Sequence, residues 1–254
     1  LQYSYARAMS VVRKAKPALC KTLFTKVLGS FRRSVGTQPA ILKKHFSSRS
    51  FRVILVLFFF ISLVCTQVPL FNYLGFESSA LTAVLGGFLS GMLLVMNWNS
   101  ADRGRPSSFG KFATESLLVS LLLLSVPLVV LSANALFVKN CSLSQGLLLF
   151  ALMPVPAIVF SNALALLISV TLRRWRKIVF TAAYLLVLSH ILVVTFVTPQ
   201  IFAFNPIPGF FPGITYDESL RVESRLLVYR IGTLAAAGVL FIAARIVFRR
   251  KETQ

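Results

Sequence analysis

Long apolar runs alternate with short polar segments over most of the 254-residue chain. Six of these runs reach or approach the roughly 20 residues that a helix needs to cross a bilayer. They are Val53–Leu74, Ser79–Trp98, Leu117–Val138, Gly146–Leu172, Ile178–Thr198 and Leu227–Phe248. The pattern predicts an all-α polytopic membrane protein, with six transmembrane helices in a domain that covers residues 51–254.

Residues 1–50 show a different pattern, that of a basic segment with one apolar face. From Ala18 to Arg33 the apolar residues recur every three or four positions, which places them on one side of a helix. Lys21, Lys26, Arg32 and Arg33 fall largely on the other side. Such a helix lies in the membrane interface with its cations toward lipid phosphates, so these four residues form a candidate lipid or partner surface. A targeting presequence, also basic and free of acids, is the open alternative.

The segment 201–226, before the last run, is apolar but cannot form a regular helix throughout. Three prolines and two glycines lie between Asn205 and Gly213. An irregular apolar backbone must be buried against protein or dip into the interface, which predicts a re-entrant-like outer segment. We expect Gly209 and Gly213 to adopt backbone angles that other residues avoid.

A helix start follows this irregular stretch. Thr215 and Glu218 have the spacing of a capping box, so Asp217 and Glu218 are expected in the first turn of the last helix. The same two carboxylates could instead bind a cation or act in acid–base chemistry. The candidate gate residues of the whole segment are Phe204, Asn205, Phe210, Phe211, Asp217 and Glu218.

Composition supports the membrane assignment. Hydrophobic residues make up 56% of the chain and charged residues 13%, against roughly 25% charged in a soluble domain. Lys and Arg total 27 and Asp and Glu total 7. Most of the cations lie in the amino-terminal segment or at the ends of apolar runs, where the positive-inside rule and anionic lipid account for them. A soluble enzyme, a disordered chain and a nucleic-acid partner are therefore disfavoured.

The distribution of cations also predicts the orientation. With the amino terminus inside, the inner segments hold 23 of the Lys and Arg residues, whereas the outer segments hold only Lys139, Arg221, Arg225 and Arg230. Both termini are therefore expected in the cytoplasm, and a bacterial inner membrane is the expected location.

Candidate chemistry is sparse. His45 and His190 are isolated, and no zinc, nucleophile-elbow or P-loop motif is present in the sequence. We therefore predict no catalytic, cofactor or metal-binding residues and no enzyme activity; an intramembrane enzyme using Asp217 and Glu218 is the least favoured alternative. Gly87 and Gly91 form a GxxxG pattern, which favours close helix packing within the chain over a homodimer contact.

The sequence thus predicts a basic interfacial helix, six spans and an outer segment that dips back before the last span. This topology resembles the membrane domain of ABC-2-type exporter permeases. The resemblance covers nearly the whole chain and lies in its topology. It implies a dimer of permeases driven by a separate ATPase, coupled near 21–33 and 102–115, and an amphipathic or lipid-like substrate. The block from Asn205 to Glu218 also looks like a run in uncharacterised bacterial multi-pass proteins. The alternative is a non-catalytic subunit of a larger membrane complex, whose partners would be other membrane subunits.

Overall fold

The computed structural model of the chain describes residues 48–102, 109–135, 137, 143–197, 203–211 and 224–252. The predicted amphipathic helix and its cations lie outside these residues: Lys21, Lys26, Arg32 and Arg33. The interfacial position of that helix and the boundary of the amino-terminal segment therefore stay predictions.

Seven helices and one two-stranded hairpin make up the described part of the chain. In chain order they are α1 (Arg49–Gln67), α2 (Phe76–Asp102), α3 (Phe109–Asn134), α4 (Leu143–Leu152), α5 (Pro154–Thr171), α6 (Arg176–Val197), β1 (Ala203–Asn205), β2 (Gly209–Phe211) and α7 (Ser224–Glu252). The predicted helical architecture is confirmed, but the all-α prediction missed the hairpin.

Five helical segments of the described residues are long and apolar enough to cross a membrane. They are α1, α2 up to Trp98, α3, α4 together with α5, and α7 up to Lys251. This confirms a multi-pass membrane protein. The helix α6 has 22 residues and covers most of the fifth predicted run, so the count of six spans stays a prediction.

Proline accounts for two differences from the predicted spans. The first helix ends at Gln67, earlier than predicted, because Val68 is extended before Pro69. The fourth run divides at Met153, since Pro154 and Pro156 have no N–H to donate to the preceding turn.

Two helices, α2 and α5, form the centre of the bundle, and α7 packs along α5. Small residues allow this close approach. A Cβ on Gly87 would lie 2.7 Å from the Tyr184 hydroxyl, and a Cβ on Gly91 would overlap the ring of Phe180. The GxxxG pattern of α2 therefore packs within the chain, against α5 and α6.

Buried polar side chains join the central helices. The Ser161 hydroxyl donates to the Gly87 carbonyl at 2.6 Å, and the Asn162 amide donates to the Ser120 hydroxyl at 2.9 Å. An asparagine within an apolar run is expected to bond to a neighbouring helix, and Asn162 does so. A histidine within a run is expected to form such a hydrogen bond as well, but His190 is exposed on α6 and forms none with a described residue.

The two ends of the bundle differ in charge. At one end the Lys251 ammonium donates to the Val170 and Thr171 carbonyls at 2.7 and 3.2 Å, which supplies donors to the carboxyl end of α5. Side-chain cations of the described residues gather at this basic end: Arg49, Arg52, Lys111, Arg173, Arg174, Arg176, Lys177, Arg245, Arg249, Arg250 and Lys251. The hairpin lies toward the opposite end, which we call the hairpin end; there the Asn134 amide donates to the Asn72 carbonyl at 2.5 Å.

Candidate functional site

The least regular buried segment of the described chain is the hairpin 203–211. Its strands are antiparallel and pair Phe204 with Phe210 and Asn205 with Gly209, with the turn Pro206–Ile207–Pro208 between them. Asn205 and Ile207 are fully buried. The hairpin is therefore part of the packed interior, although its prolines and glycine exclude a helix.

Asn205 fixes the turn and anchors it to a neighbouring helix. Its side-chain oxygen accepts a hydrogen bond from the backbone N–H of Ile207 at 2.9 Å, the geometry of an Asx-turn. Its amide nitrogen donates to the carbonyl of Val187 in α6 at 2.7 Å. One buried side chain thus satisfies both its donor and its acceptor sides, as a polar group in an apolar interior requires.

Arg230 of α7 holds the other side of the hairpin. Its Nη1 donates to the Pro206 carbonyl at 2.8 Å, and its Nη2 donates to the Ile207 carbonyl at 3.3 Å and to the Met153 carbonyl at 3.2 Å. The side chain is only 2% exposed. One guanidinium therefore joins α7, the hairpin and the proline-broken junction of α4 and α5.

The charge of Arg230 is met by carbonyl dipoles. None of its contacts to the described residues involves a carboxylate, and its buried Nε has no hydrogen-bond partner among them. A buried cation is costly unless hydrogen bonds replace its hydration. The turn and the broken helix have backbone carbonyls that no strand or helix pairs, and these supply suitable oxygens. The arginine in turn supplies the donors that these buried carbonyls need.

Gly209 leaves the space that the guanidinium occupies. Its φ is +97°, where side-chain-bearing residues are strained, and an added Cβ would overlap Nη2 and lie 3.0 Å from Cζ of Arg230. The expectation for Gly209 is thus confirmed. The glycine serves both the backbone angle and the close approach of the arginine, whereas Gly213 lies outside the described residues.

Aromatic rings cover the hairpin. Phe210 is buried, and the centroid of its ring lies 4.9 Å from that of Phe76 at the start of α2. Phe204 stacks on Tyr229 of α7, with ring centroids 5.1 Å apart. The two hairpin rings also contact each other across the strand pair, at 6.4 Å. The burial against protein that is expected of this apolar segment is thus confirmed at Phe204 and Phe210.

The hairpin reaches well along the bundle. Val187, which binds Asn205, lies ten residues before the last residue of α6, or about 15 Å at 1.5 Å per residue. Met153 lies ten residues after the start of α4, which is a similar depth. The turn of the hairpin thus lies near the middle of α6 and close to the junction between α4 and α5.

The structure brings together some of the predicted site residues. Phe204, Asn205 and Phe210 lie side by side in the hairpin. Phe211 ends β2, and its side chain is not described; Asp217 and Glu218, with the capping box, lie outside the described residues. The cap and the acid-pair hypotheses therefore stay predictions.

Arg230 is the site residue that sequence reasoning missed. It was assigned to the outer segments, whereas it lies six residues into α7 and is buried. Its position three residues inside an apolar run was the available signal, because an arginine within a span needs specific partners. The Pro- and Gly-rich segment pointed to the partners, because a backbone without regular structure leaves carbonyl groups that need donors.

Compared with known protein families, curated proteins and solved structures, the chain matches none of them. Among the described residues, no group of three His, Cys, Asp or Glu side chains could hold a metal ion. Arg230 with its three carbonyl partners is called the latch below. The geometry of the hairpin and of this latch is the observation on which the proposed function rests.

Proposed function

We propose that this chain is the permease subunit of an ABC-2-type exporter, which moves a lipid-like or amphipathic substrate and is driven by a separate ATPase. The observation that carries the proposal is the hairpin 203–211, which precedes the last described helix. Hydrogen bonds join it to α6 and α7, and Phe210 packs it against Phe76 of α2. Such a segment at this place in the chain is the feature that the family resemblance implies. In the family it consists of short helices, whereas here it is a pair of strands.

The proposed orientation follows from charge. The basic end would face the cytoplasm of a bacterial cell, and the hairpin end would face outward. The start of α3, at 109–115, then lies on the cytoplasmic side, where the resemblance expects contact with the ATPase. The hairpin would act as the outer gate, because opening a path between α6 and α7 requires the latch of Arg230 to release or move.

A non-catalytic subunit of a larger membrane complex is the second candidate. The helix α7 supports it, because large apolar side chains remain exposed along that helix and could contact a neighbouring subunit. They are Leu227, Val228, Ile231, Leu234, Val239, Ile242 and Ile246. The same face could contact lipid, so it supports this candidate without excluding the exporter.

Purification under mild detergent separates the two functions. The tagged full chain is isolated from its native membrane, and the copurifying proteins are identified and quantified by mass spectrometry. An ATPase at one copy per chain, with ATP hydrolysis that depends on the chain after reconstitution, supports the exporter. A single copy of the chain in a large assembly without an ATPase contradicts it and supports the subunit function.

A further inference from the structure

A shallow, largely open cavity of about 600 Å³ lies along one exposed face of α1, away from the hairpin. The residues that line it follow a single helical face at spacings of three and four. They are Arg49, Arg52, Val53, Val56, Leu57 and Phe60. The cavity is thus charged at one end and apolar along the rest of its length.

The two arginines are available to a ligand. Both are exposed, and neither forms an ion pair or a side-chain hydrogen bond with a described residue. They lie at the basic end of the bundle, in the first turn of α1. Guanidinium groups bind phosphate oxygens through several parallel hydrogen bonds, so an anionic phosphate group fits this end of the cavity.

The whole cavity, with the arginines included, is about as long as one membrane leaflet is thick. From Arg49 to Phe60 the helix rises through eleven residues, or about 16 Å. Half of the hydrocarbon core of a bilayer is about 15 Å thick. A lipid whose headgroup lies at the arginines would therefore have its acyl chain beside Val56 and Phe60, within the same leaflet.

We propose that this face of α1 is a binding site for an anionic phospholipid. The phosphodiester, whose negative charge no headgroup cation neutralises, would bind Arg49 and Arg52, and an acyl chain would lie along the apolar wall of the cavity. Binding here does not depend on transport, because the site and the latch of Arg230 share no residue. A soluble anion would gain nothing from the apolar wall, which is why a lipid is the committed occupant.

Native mass spectrometry of the full chain in a mild detergent tests the proposal. The chain is mixed with equal amounts of phosphatidylglycerol and phosphatidylcholine of identical acyl chains, and the retained lipid is counted. We expect preferential retention of phosphatidylglycerol. The double substitution R49Q/R52Q should weaken it about fivefold for each arginine, or about thirtyfold in all, from the usual contribution of one cation at an anionic surface.

Matched variants distinguish this site from general charge attraction. The control R173Q/R174Q removes two exposed arginines from the same end of the bundle and should leave the retention unchanged. The variant R49K/R52K keeps the charge and should retain most of the lipid, which also guards against a folding defect. Val56→Trp changes the shape of the apolar wall and should weaken the retention of the lipid with both arginines present.

Three results would overturn the proposal. The first is equal retention of the two lipids by the unchanged chain. The second is an equal loss in R49Q/R52Q and in R173Q/R174Q, which would indicate only an unspecific basic surface. The third is full retention by Val56→Trp, which would show that the apolar wall does not contribute to binding.

Discussion

The Gly209→Ala substitution tests the close contact between the hairpin and the latch. The added methyl group would require a side-chain-bearing residue at φ +97° and would overlap Nη2 of Arg230. The end of an arginine side chain can usually move aside. Here it is 2% exposed and bound to three carbonyls, so movement must break hydrogen bonds.

The expected cost of Gly209→Ala combines two contributions. A residue held in a sparsely populated backbone region costs roughly 1–3 kcal/mol. Loss of at least one hydrogen bond from a charged donor costs about 1.5–3 kcal/mol. We therefore expect the free energy of unfolding to fall by about 2.5–6 kcal/mol.

Gly238→Ala is the matched control, because no atom lies within 4 Å of the position of its Cβ. Gly238 is in the interior of α7, where alanine is favoured over glycine by about 0.8–1 kcal/mol. This variant should be as stable as the unchanged chain or slightly more stable. The comparison holds the chemical change constant and varies only the surroundings.

The assay is reversible unfolding of the purified chain in mixed detergent micelles, combined with hydrogen exchange of the hairpin amides. Arg230→Met completes a double-mutant cycle, since methionine removes the overlap with the added methyl group. In that background Gly209→Ala should cost only the backbone strain. Equal stability of the Gly209→Ala and Gly238→Ala variants, or strictly additive effects in the cycle, would refute the reasoning.

Three further variants test helix packing, a buried polar pair and the orientation of the chain. Gly91→Val overlaps neighbouring side chains and should lower the free energy of unfolding by about 1–3 kcal/mol, whereas Gly232→Val, in open surroundings, should change it little. Asn162→Ala removes one interhelical hydrogen bond and should cost about 0.6 kcal/mol in the same assay, the average for such bonds; a cost above about 2 kcal/mol would contradict this. In a cysteine-free chain in sealed cells, Lys177→Cys should react with an impermeant thiol reagent only after the cells are opened, and labelling from outside would contradict the orientation.

The helices could be predicted from the sequence because their signal is local. A run of about 20 apolar residues identifies a span whatever its neighbours are. The ends were less accurate where apolar residues continue beyond the helix. Val68 and Leu70 extend the first apolar run, but Pro69 between them ends the helix at Gln67, so hydropathy alone placed the boundary too late.

The hairpin was predicted only in part. Its proline and glycine content excluded a helix, and its apolar residues required burial, so packing and the special angle of Gly209 followed from the sequence. The strand pairing did not follow, because two three-residue strands carry too short a pattern to recognise. Asn205 was chosen as a candidate, but its bond to Val187 joins residues 18 apart and depends on the tertiary structure.

The latch itself was beyond sequence reasoning for a physical reason. Arg230 binds carbonyl groups, which every residue has, so no partner side chain marks its site in the sequence. In the prediction of orientation, Arg230 counted as one of the cations of the outer segments, like an arginine in a solvated loop. Only the packing of α7 against the hairpin and against Met153 distinguishes the buried Arg230 from such a loop arginine.

Thiol accessibility of the hairpin turn tests most directly whether the latch holds the hairpin inside the bundle. Ile207→Cys is made in a cysteine-free chain, with and without Arg230→Met, and Phe137→Cys serves as an exposed reference at the same end. With Arg230 present, the cysteine at position 207 should react with a water-soluble reagent far more slowly than the reference, and Arg230→Met should speed it up. Reaction at position 207 as fast as at position 137, with Arg230 in place, would contradict a hairpin held in the interior by the latch.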